Sequence, residues 1–186
     1  MPEQALVYTL MPSRFGEVSV VWRKGESDPR VVEILLPRRR MRLAEMAIRP
    51  SSHPTIDRLC DALQDYLQGR DVELPMSWLD LDSCSQFQRT VLMAEMTIPR
   101  GRVAAYSELA AHIQRPRAAR AVGTALARNP FPIIIPCHRT VRSDGSLGGF
   151  GGGLDMKRAL LDMEGVAFDD WGRVKPESFW DWSAVS

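Results

Sequence analysis

The first eighty residues combine strand-like alternation with one helical pattern. Val18, Val20 and Trp22 occupy alternate positions, and residues 31–36 form a second extended run, which together predict a hairpin. Pro54 opens a helical pattern that Gly69 ends. Its apolar face consists of Ile56, Leu59, Cys60, Leu63 and Leu67. We therefore expect residues 1–83 to be an α/β domain, with a small antiparallel sheet, a helix, and residues 70–83 as a linker.

Helical periodicity dominates from residue 85 onward. Ser85 and Gln88 have capping-box spacing, and the helix they open has an apolar stripe at Phe87, Val91 and Ala94. Two short helical patterns follow, at residues 107–112 and about 117–128, and Pro116 suits the first turn of the second. This outline is that of a helix-turn-helix within a mainly α domain, residues 84–170.

Prolines and glycines dominate the segment before the last helix. Three prolines between residues 130 and 136 exclude a helix, so residues 131–135 are expected to run extended into Cys137. A glycine-rich loop follows, and residues 154–164 form an amphipathic helix that Gly165 ends. Residues 171–186 form a tail whose three tryptophans are expected to pack on the surface.

The formal net charge of +1 conceals a local asymmetry. Residues 97–142 contain eight arginines and one acidic residue, Glu108, which give this segment a net charge of +7. The rest of the chain has sixteen basic and twenty-two acidic residues and a net charge of −6. A concentrated arginine field lets a nearly neutral chain bind a polyanion locally. On charge alone, scattered solvated arginines are the alternative.

Composition also excludes several classes of protein. No apolar run is long enough to cross a bilayer, and the first residues lack the pattern of a secretory signal. The three cysteines are too few for a disulfide framework, and the three histidines lack metal-ligand spacing. We expect a soluble, cytoplasmic protein with free thiols, associated with the nucleoid, or nuclear in a eukaryote, and with neither metal nor cofactor.

Candidate chemistry centres on Cys137, His138 and Arg139. A cysteine beside histidine and arginine lies in an electropositive environment, which favours the nucleophilic thiolate. By itself this triplet is a weak signal, because a cysteine next to a histidine is usually a buried core thiol. Its context is more specific: I-P-C-H-R is preceded by R-A-V-G-x-A-x-x-x-N-P and followed by a glycine loop and K-x-x-L-L-x-x-E-G.

This succession resembles the signature of the O6-alkylguanine-DNA alkyltransferases, from about Phe87 to Gly165. The resemblance implies a ribonuclease H-like N-terminal domain and a C-terminal alkyltransferase domain. It also implies that the protein flips O6-alkylguanine out of duplex DNA and takes the alkyl group irreversibly onto Cys137, as a methylated-DNA–protein-cysteine S-methyltransferase. Activity on O4-alkylthymine stays open.

The same resemblance implies the role of each catalytic residue. His138 acts as the base through a bridging water, and Glu164 polarises His138. A carboxylate in the last turn of a helix faces the negative end of the dipole, so a partner elsewhere should hold Glu164. Tyr106 contacts the flipped base and donates a proton toward N3, and Asn129 braces the reactive segment.

Double-stranded DNA is the implied partner, bound through the minor groove in a largely sequence-independent, salt-sensitive way. Arg120 enters the base stack and fills the gap that flipping leaves. Small residues let the helix approach the groove closely; the other residues assigned to this surface are Ala119, Ala121, Gly123, Thr124 and Arg128. We expect a monomer in solution.

The substrate pocket is assigned to Tyr106, Thr140, Phe150, Gly151 and Gly152, and three of these depart from the family pattern. Phe150 stands where a tyrosine is common, so that hydroxyl is missing. Thr140 stands where valine or isoleucine is usual. Gly151 replaces a small residue that has a side chain, and we expect it to leave room for larger O6-alkyl groups.

Three other functions are compatible with parts of the sequence. An alkyltransferase-like damage sensor binds lesions without reacting, but such proteins lack the cysteine that this chain has. A thiol hydrolase could use Cys137 and His138, although no evident oxyanion loop accompanies them beyond the glycines. A transcriptional regulator would carry a metal-binding cysteine cluster, which this sequence lacks.

Overall fold

The computed structural model describes residues 5–24, 28–39 and 41–182. The chain divides into two compact units. The first consists of Met1–Ser83 together with Pro130–Ile134, and the second of Cys84–Asn129 and Ile135–Ser186. The assignment of Pro130–Ile134 to the first unit was not part of the sequence-based expectation.

A small mixed sheet forms the centre of the first unit. Its strands are β1 (Ala5–Ser13), β2 (Gly16–Lys24), β3 (Arg30–Leu35) and β4 (Arg49–Pro50), in the order β3-β2-β1-β4. The predicted hairpin is confirmed, because β2 and β3 pair antiparallel. The predicted small antiparallel sheet is correct for β1, β2 and β3, but β4 pairs parallel with β1 and makes the sheet mixed. Strand β1 was missed because only two of its side chains, Val7 and Met11, are buried, too few to give a clear alternation.

Helices α1 (Met41–Glu45) and α2 (Pro54–Leu67) complete the regular structure of this unit. All five residues of the predicted apolar face of α2 are buried, and α2 packs against β1. The His53 ring caps the helix, because its Nδ1 accepts a hydrogen bond from the Thr55 amide over 3.2 Å.

The expectation of a linker at residues 70–83 is only partly correct. Most of the segment lacks regular structure, but Leu79 is 2% exposed and forms a parallel bridge with Val31. The Val31 amide donates to the Trp78 carbonyl over 2.7 Å, and the Asp80 amide donates to the Val31 carbonyl over 2.8 Å. These backbone bonds extend the sheet beyond β3, so this part of the segment belongs to the core of the first unit.

The second unit is mainly helical. It contains α3 (Gln86–Glu95), β5 (Ala104–Ala105), α4 (Tyr106–His112), α5 (Ala119–Ala127), β6 (Thr140–Val141) and α6 (Leu154–Met163). Strands β5 and β6 pair parallel. A hydrophobic cluster packs around this short ladder; its buried members are Val103, Val141, Leu161, Val166 and Val174.

Two predicted helix starts need correction. Ser85 accepts a hydrogen bond from the Gln88 amide as predicted, but the Gln88 side chain caps α5 instead, donating to the carbonyls of Ala125 and Arg128. Phe87 is 37% exposed and therefore lies outside the buried stripe. Pro116 lies in the turn before α5 and not in its first helical turn, since α5 begins at Ala119.

The expected extended run into Cys137 is also wrong. A turn occupies residues 133–134, where Ile133 has a φ of 77°, and Cys137–Arg139 forms a 3₁₀ helix. Proline restricts only itself and the preceding residue. Pro132 and Pro136 therefore leave Ile133 and Ile134 free to turn between them.

The tail packs into the second unit through backbone hydrogen bonds, through Val174 and Phe179 in its hydrophobic cluster, and through one stacked ring. The Trp180 amide donates to the Val103 carbonyl over 2.7 Å, and the Trp182 ring stacks on His112 with centroids 4.0 Å apart. Trp171 is 84% exposed. The predicted tail ends at residue 186, and its positions 183–186 lie outside the described residues. None of the described helices has the length and apolar character needed to cross a membrane.

Leu63→Ala tests how much α2 stabilises the first unit. Leu63 is 0% exposed, so its truncation should lower the free energy of unfolding by about 2–5 kcal/mol. Asp61→Ala on the exposed side of the same helix is the matched control, with an expected effect within about 0.5 kcal/mol. Urea denaturation measures both changes, and equal effects would contradict the buried position of Leu63.

Candidate functional site

A short parallel ladder brings the two halves of the site together. β6 directly follows the 3₁₀ helix of Cys137, and β5 directly precedes α4, which begins at Tyr106. Because Ala104 and Ala105 pair with Thr140 and Val141, the Tyr106 ring and the Cys137 thiol lie close enough for their charges to interact.

The Cys137 thiol is protonated at rest. The residue is 8% exposed, and burial raises the pKa of its thiol to about 11, although a hydrogen bond from Asn129 opposes this rise. Asn129 is itself buried, and its Nδ2 also donates to the Ile135 carbonyl over 2.9 Å. Asn129 thus fixes the backbone before the nucleophile and contacts the nucleophile itself. A buried neutral thiol needs a base before it can react.

His138 and Arg139, which follow Cys137 directly in the chain, form a largely buried network with Glu164. His138 is 0% exposed, and its Nε2 lies 2.9 Å from Glu164 Oε1. Arg139 donates from Nε to Glu164 Oε2 and from Nη2 to Glu164 Oε1, both over 2.9 Å, and from Nη1 to the Ile98 carbonyl. Arg139 therefore holds the carboxylate in the bidentate geometry typical of strong ion pairs.

These contacts fix the proton positions in the network. Burial lowers the pKa of His138, and the nearby Glu164 only partly offsets this. Burial alone would raise the pKa of Glu164, but the hydrogen bonds from His138 and Arg139 and the charge of Arg139 outweigh it and hold the pKa well below its usual range. Since an ionised carboxylate only accepts hydrogen bonds, neutral His138 carries its proton on Nε2. Its Nδ1 is then the basic atom.

The Tyr106 ring lies between two glycines. A Cβ atom at Gly123 of α5 would lie 3.7 Å from the ring, and one at Gly148 would lie 2.9 Å from the Tyr106 hydroxyl oxygen. Burial, together with the charges of Glu95 and Cys137, raises the pKa of Tyr106 to about 12. The hydroxyl therefore keeps its proton at neutral pH and can donate a hydrogen bond.

Helix α5 presents a continuous exposed face. Val122, Ala125 and Leu126 are buried, whereas the opposite side is open to solvent. The exposed residues are Arg120, Ala121, Thr124, Ala127 and Arg128. Ala119 and Gly123 are half-buried, and the Thr124 hydroxyl donates to the Arg120 carbonyl over 3.1 Å. The face is smooth between its two arginines, as close approach to another surface requires.

The residues assigned to the substrate pocket lie in different surroundings. The Phe150 ring meets His138 edge-on, with centroids 6.1 Å apart. Thr140 is fully buried, and its hydroxyl donates to Glu95. Gly151 and Gly152 lie in the turn that precedes α6.

Glu95 and Lys157 were not predicted from the sequence, and Arg139 was named there without its role as the clamp of Glu164. Glu95 and Lys157 are each 0% exposed. A signal for Glu95 was present, because it follows Val91 by four positions and so extends the apolar stripe of α3 with a carboxylate. Lys157 is the lysine of the K-x-x-L-L-x-x-E-G motif, and its burial depends on contacts that no local pattern reveals.

Residues 86–166 match the family model described as 6-O-methylguanine DNA methyltransferase, DNA binding domain. A methylated-DNA–protein-cysteine methyltransferase of Methanothermobacter thermautotrophicus is 40% identical over 154 residues, which cover 82% of each chain. One from Haemophilus influenzae is 35% identical over 182 residues, covering 94% of this chain and 96% of the relative. The crystal structure of Mycobacterium tuberculosis OGT in complex with DNA has a TM-score of 0.69 at 34% identity, covering 84% of this chain and 91% of that one.

Gly148→Ala tests the packing around Tyr106. Gly148 has a φ of 67°, which costs a side-chain-bearing residue about 1–2 kcal/mol, and the new Cβ would also displace the Tyr106 hydroxyl. Gly149→Ala is the matched control, because a Cβ there meets nothing within 4 Å. Thermal denaturation of the two variants should separate them. Equal stability would contradict the close approach of Gly148 to Tyr106.

Proposed function

Because this chain belongs to the methylated-DNA–protein-cysteine methyltransferase family, we propose that it repairs DNA by taking the alkyl group of O6-alkylguanine onto Cys137. The observation that carries the proposal is the largely buried network of His138, Glu164 and Arg139, whose histidine directly follows Cys137 in the chain. The network supplies His138 as a base of fixed orientation. Once His138 is protonated, the adjacent Glu164 carboxylate stabilises its positive charge. A buried thiol with such a base can ionise at the moment of reaction.

The reaction balances with the groups at hand. His138 Nδ1 accepts the thiol proton through a bridging water, and the Cys137 sulfur attacks the alkyl carbon. The bond from that carbon to O6 breaks, and its electron pair goes to the purine, which gains a proton at N3 from the Tyr106 hydroxyl. The His138 imidazolium then gives up the proton that came from the thiol, and the Tyr106 phenolate takes up a proton, so both groups end neutral. The products are guanine and a thioether, whose stability limits each molecule to one event.

The exposed face of α5 is proposed as the DNA surface, with α4 and α5 as a helix-turn-helix. Double-stranded DNA would lie with its minor groove against Ala119, Ala121, Gly123 and Thr124, because small side chains permit close approach. Arg120 would occupy the gap in the base stack, and Arg128 would contact a phosphate. We also propose a ribonuclease H-like fold for the N-terminal domain, residues 1–83, with the chemistry in residues 84–170. The protein would act as a cytoplasmic monomer.

The test is to mix the protein with a limiting duplex that carries O6-methylguanine and to analyse its peptides by mass spectrometry. We expect one methyl group on the Cys137 peptide for each lesion removed, and no removal by Cys137→Ser. Cys60→Ser is the control, since Cys60 lies in α2 of the first unit. Binding without an adduct would favour the damage sensor, and repeated turnover would favour a thiol hydrolase.

Arg120→Ala tests the flipping role separately from the chemistry. Flipping costs a few kcal/mol, so loss of the group that fills the stack should slow transfer from duplex DNA by about tenfold or more. Reaction with free O6-benzylguanine, which needs no flipping, should not change. Arg58→Ala, at an exposed position of α2, removes the same charge and should leave both rates unaltered. An equal loss with the free base would assign Arg120 to folding.

A further inference from the structure

A second group of buried polar side chains lies beside Cys137 and takes no part in the transfer just described. Glu95, the last residue of α3, is 0% exposed, and its Oε2 accepts a hydrogen bond from the Thr140 hydroxyl over 2.5 Å. Its Oε1 has no hydrogen-bond partner among the described residues. Lys157 of α6 donates to the carbonyls of Thr140 and Gly149 over 2.6 and 3.3 Å. Thr140 thus joins a buried carboxyl to a buried ammonium, three positions after the nucleophile.

Both groups act electrostatically on the thiol and titrate near neutral pH. Burial raises the pKa of Glu95 to about 7, against the opposing effects of Thr140 and Lys157. Burial also lowers the pKa of Lys157 to about 8, while the charges of Cys137 and Glu95 oppose that shift. At Cys137, the charge of Glu95 raises the pKa and that of Lys157 lowers it. The other ionisable groups that act on these three are Tyr106, His138, Arg139 and Arg142.

Two acidic groups therefore share one buried ammonium. When Glu95 is ionised, Lys157 balances its charge, and a thiolate would add a buried negative charge that Lys157 cannot also balance. When Glu95 is protonated, the same ammonium balances the thiolate. The unpartnered Oε1 makes the ionised form of Glu95 still less favourable, because a buried carboxylate needs hydrogen bonds to both oxygens.

We propose that Glu95 is a positioning residue that competes with the Cys137 thiolate for the ammonium of Lys157, so that the thiol ionises readily only when Glu95 is neutral. This inference rests on the proposed function of Cys137 as alkyl acceptor and gives that site a proton-sensitive control. It also explains Thr140, which departs from the family pattern: the Thr140 hydroxyl is the donor that Glu95 needs, and valine or isoleucine would not supply one.

The test measures how fast iodoacetamide alkylates Cys137 between about pH 6 and about pH 10, followed on the Cys137 peptide by mass spectrometry. Glu95→Gln removes the charge with little change in shape. We expect its rate to match that of the wild type well below pH 7 and to be about tenfold higher above about pH 8, where wild-type Glu95 is ionised, which is a shift of about one unit toward lower pH in that range. Loss of Glu95 also lowers the pKa of Lys157, but the thiolate that forms raises it again.

Two further variants, Thr140→Val and Glu95→Asp, test the same proposal without relying on Glu95→Gln alone. The Thr140 hydroxyl lowers the pKa of Glu95, so Thr140→Val keeps Glu95 neutral to higher pH and should shift the profile in the same direction as Glu95→Gln. Glu95→Asp retains the charge and should keep the wild-type profile. Cys84 in the same samples is the internal control, and its profile should not move.

The possible outcomes are distinct. An unchanged or upward-shifted Cys137 profile in both Glu95→Gln and Thr140→Val, with folding verified by circular dichroism, overturns the competition. Transfer from an O6-methylguanine duplex is measured in parallel. If the iodoacetamide profiles shift as expected but the wild-type protein takes no methyl group from DNA, the competition stands and the proposed function fails.

Discussion

The Glu164 carboxylate is the point on which the arrangement of the site depends. Glu164 is the C-cap residue of α6, where the helix dipole disfavours an anion, and its carboxylate is held there by Arg139 and His138. Arg139 also binds the Ile98 carbonyl, so one guanidinium connects the end of α6 to the segment after α3. Replacing Arg139 would leave the buried carboxylate without its counter-charge, so the position of His138 depends on Arg139 as well.

Burial of the nucleophile has a cost in reactivity that this network offsets. A thiol at the surface would be ionised more easily, but it would also react with any electrophile in the cell. At Cys137 burial keeps the thiol protonated, and His138, the proposed base, is oriented by the Glu164 carboxylate, which Arg139 fixes in turn. Reactivity then depends on a substrate that fits beside Tyr106, whose ring is confined by Gly123 and Gly148.

Glu95 and Lys157 are the buried charged groups that act on the pKa of the Cys137 thiol. Glu95 and Lys157 approach Cys137 from α3 and α6, and Thr140 contacts both. Their joint burial keeps both near their titration points, so the charge of the site is set by competition among a few groups and not by bulk solvent. The arginine-bearing face of α5 is exposed, whereas Glu95 and Lys157 are buried, so the surface proposed to contact DNA does not include the groups proposed to control the proton.

Local patterns in the sequence determined the hairpin of β2 and β3, the buried face of α2, the mainly helical second unit and the family to which the chain belongs. They did so because periodicity, caps and motif residues act over a few positions along the chain. The parallel pairing of β4, the turn at Ile133 and the 3₁₀ helix at Cys137 depend on contacts distant in sequence, which override the local preference of prolines and alternating residues.

The same distinction holds in the site. The motif named Cys137, His138 and Glu164 as candidates, but the bidentate clamp of Arg139 and the burial of Glu95 and Lys157 follow only from the packing of α3, α6 and the β5–β6 ladder. Charged side chains carry no mark in the sequence of whether they will meet water or a partner. Only the tertiary structure decides that, because the partners come from segments far apart along the chain.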